Sequence, residues 1–121
     1  MERTESMAVR ELRVEKIVIE RDGRPVMEIG SDEDGGRIVV YSSGGVPLVW
    51  IAVDGDCGWI AVCSRKGVKA VEVSVDNDGN GYILLYDEQE EPQIGLGMTR
   101  EGDWDVLLSE EAAKKLEDFM S

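Results

Sequence analysis

Apolar residues recur at every second position through much of the chain: Met27 and Ile29, then Val49, Ile51 and Val53, then Val71, Val73 and Val75, then Ile94, Leu96 and Met98. A period of two puts each set on one side of an extended backbone, so each predicts a strand. Between them lie short runs in which both parities are apolar: Arg37-Ile38-Val39-Val40-Tyr41, Trp59-Ile60-Ala61-Val62-Cys63 and Tyr82-Ile83-Leu84-Leu85-Tyr86. Their β-branched and aromatic residues predict strands with two apolar faces.

Turn chemistry separates these segments. Asp22-Gly23, Gly44-Gly45 and Lys66-Gly67 place glycine where a tight hairpin needs positive φ. Glu90 stands at the corresponding place in the next hairpin, which predicts a strained or looser turn there. The remaining connections are acidic, as in Asp54-Gly55-Asp56 and Asp76-Asn77-Asp78-Gly79.

One register runs through these features. Gly23, Gly45 and Gly67 lie 22 residues apart, as do Asp32, Asp54 and Asp76; Pro25 and Pro47 keep that spacing and Pro92 follows 45 residues on. Such agreement predicts a tandem repeat of about 22 residues, each unit a β-hairpin. The fold class expected is all-β with one C-terminal α-helix: about nine strands in an up-and-down meander, forming a barrel-like or prism-like sheet. Residues 1–11 are expected to be a tail, 12–108 the hairpin domain and 109–121 a capping helix. The period changes at Ser109, where Ala112, Leu116, Phe119 and Met120 fall on one helical face. Ser109 is the expected N-cap, with Glu110 and Glu111 complementing the helix dipole.

A core formed within one chain covers only one face of such a meander. Trp50 lies on the face opposite Val49 and Ile51. The second face, represented by Val39, Tyr41, Trp50, Ala61 and Leu84, is therefore the expected interface of a homo-oligomer. A trimer is the favoured symmetry, and association also hides the open sheet edges.

Composition narrows the function further. The 121 residues hold 13 Lys+Arg against 26 Asp+Glu, a formal net charge of −13, and 42% are hydrophobic. That apolar fraction supports a folded domain. The acidity excludes direct nucleic-acid binding through phosphates and suits a basic protein partner. There is no histidine, so the commonest general base and zinc ligand are missing, and no serine or cysteine has one to activate it. Gly95-x-Gly97 lies inside a strand with no helix after it and is no dinucleotide loop. The chain is expected not to be an enzyme and to need no cofactor.

No apolar run is long enough to span a membrane, and the first ten residues lack the apolar core of a secretory signal. Cys57 and Cys63 sit near opposite ends of one predicted strand, too far apart for a disulfide. Free thiols of this kind predict a cytoplasmic protein.

The sharpest local motif is Asp76-Asn77-Asp78-Gly79-Asn80-Gly81-Tyr82-Ile83 with Asp87 at the twelfth position. It resembles an EF-hand calcium loop, which implies Asp76, Asp78, Asn80 and Asp87 as metal ligands. The flanking segments read as strands instead of the helices an EF-hand requires. Three function classes follow: a non-enzymatic structural or interaction protein that self-assembles through its sheet, a calcium-binding β-repeat module, and an acidic decoy mimicking nucleic-acid charge.

Overall fold

In a computed structural model of the chain, residues 6–98 and 101–114 are described. Nine strands follow one another: β1 (Ile17–Arg21), β2 (Arg24–Asp32), β3 (Gly35–Tyr41), β4 (Pro47–Asp54), β5 (Cys57–Cys63), β6 (Lys69–Val75), β7 (Gly81–Tyr86), β8 (Pro92–Met98) and β9 (Trp104–Leu108). They form one antiparallel sheet in sequence order, so each strand pairs only with its chain neighbours. The meander and its strand number match the alternation pattern. Barrel closure is not seen: β1 and β9 are the two edges of an open sheet. Among the described residues no second layer forms, since each strand packs only against its sequence neighbours.

The strand domain starts later than the sequence pattern predicts, at Ile17 instead of residue 12. The stem of Lys16 lies over Gly30, and the chain before it leaves the ladder, so the outer end of β2 has no partner on that side. Residues 6–16 carry no strand, and Met7, Val9, Leu12 and Val14 are more than half exposed.

Backbone chemistry accounts for the turns. Asp22 and Gly23 both have positive φ (53° and 77°), as a two-residue type I′ hairpin requires. Four other hairpins share one five-residue closure. In each, the N–H of the first loop residue (Ser42, Ser64, Asp76 or Asp87) donates to the carbonyl four residues on, at 2.8–2.9 Å. The fourth residue donates back to that first residue's carbonyl and has positive φ: Gly45, Gly67, Gly79 and Glu90. Glu90, at φ 60°, therefore bears the strain its place in the sequence predicts. The ladder slips by one residue at Tyr41/Pro47, Cys63/Lys69 and Tyr86/Pro92. Two of these slips put a proline, which has no N–H to give the ladder, where none is needed.

Residues 110–114 are helical. Ser109 caps them as expected: its Oγ accepts the Ala112 N–H at 3.0 Å, while its own N–H donates to the Gln93 carbonyl at 2.8 Å. The rest of the predicted helix, including Leu116, Phe119 and Met120, lies outside the described residues.

Candidate functional site

Antiparallel pairing aligns side chains into rows across the sheet, because directly opposed residues point to the same face. One row runs Ile17, Ile29, Ile38, Ile51, Ile60, Val73, Ile83, Leu96, Val106. The next row on the same face runs Ile19, Met27, Val40, Val49, Val62, Val71, Leu85, Ile94, Leu108. Two complete rows thus cross nine strands without a polar side chain. Nothing in the described chain covers them: Ile51 is 44% exposed, Ile60 40%, Ile83 43% and Leu96 48%. Soluble monomers seldom present more than a few hundred Å² of continuous apolar surface, and an unbroken apolar band of this kind marks an interaction surface.

The opposite face has a different chemistry. Its central row is Val18, Glu28, Val39, Trp50, Ala61, Glu72, Leu84, Gly95, Leu107. Val39, Trp50, Ala61 and Leu84, four of the five residues expected at an interface, are therefore brought into one row, and Tyr41 projects from the same face two residues along β3. Two of them have nothing left to bury, however: Val39 and Ala61 are 0% and 1% exposed, covered by their own neighbours. Trp50 and Trp59 lie 6.4 Å apart with rings tilted by 44°. The uncovered apolar surface lies on the face behind this row, opposite the five residues expected at an interface.

Glu72 organises the polar part of the outer face. Its Oε2 accepts the Trp59 indole N–H at 2.6 Å and the Lys69 ammonium at 3.2 Å, and its Oε1 accepts the Tyr86 hydroxyl at 2.8 Å. Burial pushes the Glu72 pKa up, but these three donors outweigh it and hold the carboxyl below its usual range. Burial and the bond to Glu72 raise the Tyr86 pKa. For Lys69, burial acts downward, yet its bonds to Glu72 and Tyr86 leave its pKa raised, and its ammonium sits 4.6 Å from the centre of the Tyr86 ring. A smaller version occurs at Glu28, which accepts the Tyr41 hydroxyl at 3.1 Å. Neither cluster was expected from the sequence, although each glutamate stands 13 or 14 residues from its tyrosine.

The residues of the calcium-like motif are divided by the fold. Asp76, Asp78 and Asn80 share the β6–β7 hairpin, while Asp87 begins the β7–β8 hairpin at the other end of β7. That six-residue strand separates them by about 20 Å. The oxygens are also engaged locally. Asp76 Oδ1 accepts the N–H groups of Asp78 and Asn80 at 2.9 Å each, and Asp87 Oδ1 accepts those of Gln89 and Glu91. The twelve-residue spacing counts straight through a strand, so the four-ligand set is not assembled. Among the described residues no group of three or more His, Cys, Asp or Glu is placed to hold a metal ion.

Cys57 and Cys63 are both free thiols, at the two ends of β5. Burial, and secondarily the charge of Glu90, raises the Cys63 pKa, away from the reactive thiolate. A shallow hollow of about 400 Å³ lies over Gly95 and Gly97 between Tyr82, Leu84, Asp105 and Leu107, with no nucleophile and base paired in it. No helix of the described residues is long and apolar enough to cross a membrane. Comparison with protein-family models and with curated protein sequences finds no match.

Proposed function

We propose that this chain is a non-enzymatic structural or interaction protein that self-assembles through its β-sheet. The observation that carries this reading is the uncovered aliphatic face of a domain whose described residues bury only two apolar side chains, Val39 and Ala61. A stable domain needs a second layer over its hydrophobic surface, and this sheet supplies none from its own strands. The cover must be present whenever the chain is folded, and a further copy of the same chain meets that condition without a second gene product. Hairpins with a common closure and with turn residues spaced by about 22 positions support reading the sheet as a tandem array, an architecture suited to scaffolding. The free thiols fit a reducing compartment such as the cytoplasm.

The charge distribution is compatible with association. Each copy carries −13, but the two aliphatic rows contain no ionisable residue, and the acids concentrate at the turns and on the outer face. Repulsion is therefore long-ranged and screened by salt, while burial of the aliphatic face is not. Multi-angle light scattering at micromolar concentration is expected to give a multiple of 13.4 kDa, with the assembly tightening as salt is added. The mass of one chain at both low and high salt would refute self-assembly.

A further inference from the structure

Resting on that reading, we infer that three copies pack their aliphatic faces around a common axis as a three-sided prism, with the Trp50/Glu72 face outward. The dimensions of the sheet select this arrangement. Its ladders are four to six residue pairs long, about 13–20 Å at roughly 3.3 Å per residue, while nine strands stack over about 38 Å. An equilateral prism with sides of about 18 Å has its axis about 5 Å from each sheet, half the usual 10 Å spacing of packed sheets. Aliphatic side chains from three sides would fill that interior. The aliphatic face is about 700 Å² by the same dimensions, close to the roughly 800 Å² each partner contributes to a stable complex.

A second feature has no explanation within one chain. Beyond the two aliphatic rows, on the same face, Gly36, Gly58 and Gly81 stand opposite Ser31, Val53 and Val75. All three lie in strands and none has the left-handed φ that favours glycine. A Cβ on Gly58 would meet no atom within 4 Å, and on Gly36 or Gly81 nothing nearer than a carbonyl oxygen at 3.9 Å. Glycine weakens a strand interior and often marks a place where another backbone comes close. This third row lies at one end of the strands, the corner of the prism, where neighbouring sheets approach most closely.

The test compares neighbouring residues that point to opposite faces. Ile51→Asp is expected to reduce the light-scattering mass from three chains to one, whereas Trp50→Gln keeps it at three. The reverse pattern would place the interface on the outer face and overturn the prism. Wild-type chain at the mass of two copies would also overturn the prism while leaving self-assembly standing; at the mass of one, both fail. Because Ile51→Asp could also unfold the chain, Gly58→Val provides a readout that does not depend on it. The isolated sheet has room for that side chain and valine suits a strand, so a protein that works with its face open should melt at the same temperature or higher. The prism predicts a melting temperature lower by more than about 4 °C, and an unchanged or raised value would refute it.

Discussion

Replacing Glu72 by glutamine removes one charge from the outer face and changes almost no volume, so its effect reports on the carboxylate itself. Two donors, the Trp59 indole and the Tyr86 hydroxyl, lie 2.6 and 2.8 Å from different carboxylate oxygens, and the Lys69 ammonium lies at 3.2 Å. Hydrogen bonds to a charged group contribute about 1.5–3 kcal/mol each, roughly twice the neutral value. The substituted side chain would keep its carbonyl toward Trp59 and turn its amide to the tyrosine oxygen, so both contacts survive without charge assistance. The Lys69 side chain, 24% exposed, recovers much of its loss from water. The net cost is about 2 kcal/mol, or roughly 6–12 °C in melting temperature for a chain of this size. Urea unfolding followed by tryptophan fluorescence measures it, at fixed protein concentration because the stability of an assembly depends on concentration. The pH dependence provides an internal check. The Glu72 carboxyl is held below its ordinary pKa, with burial opposing and the three donors prevailing, so its contribution is full above the unfolded value and is lost as pH falls through the folded one. The gap between the wild-type chain and Glu72→Gln should therefore be complete at pH 7 and shrink below about pH 4. A difference under about 0.5 kcal/mol at pH 7, or a gap undiminished at the lowest pH at which the chain stays folded, would refute this account of the cluster.

Gly67→Ala should cost about 1–2 kcal/mol, because Gly67 has φ 83° and a Cβ there would sit 3.2 Å from Val46 Cγ1; thermal unfolding reads it directly. Asp76→Ala should lower stability by about 1 kcal/mol in a calcium chelator, with Asp76→Asn close to the unsubstituted chain, since the carboxylate oxygen serves as a turn acceptor. A loss seen only when calcium is present would restore the metal reading. Alkali should destabilise the fold above about pH 10. Burial and glutamate contacts raise Tyr41 and Tyr86, and Lys69 is raised against the effect of burial, so their contributions are full below the unfolded values and lost as pH rises through the folded ones. Phenolate absorbance should rise abruptly on unfolding in urea at about pH 10.5, and Tyr86→Phe should reduce that step.

The strands were legible in the sequence because a period of two and the turn glycines are local signals. Val71, Val73 and Val75 could hardly form anything but a strand, and Gly45 and Gly67 announce their own φ. Long-range facts were not local in this way. Alternation identifies two faces but not which one the fold leaves open, so Val39 and Ala61 read as interface residues although their neighbours already cover them. Asp87 read as a metal ligand because spacing along the chain carries no record of the strand between it and Asp76. Glu72 reads as an ordinary polar strand position until β5, β6 and β7 align, when Trp59 and Tyr86 converge on it from both sides.

The central claim, that the aliphatic face is covered by copies of the same chain, is tested most directly by sedimentation equilibrium over a dilution series at moderate salt. The expected result is a single species of three times 13.4 kDa that persists on dilution. A folded species of 13.4 kDa throughout the series would contradict it.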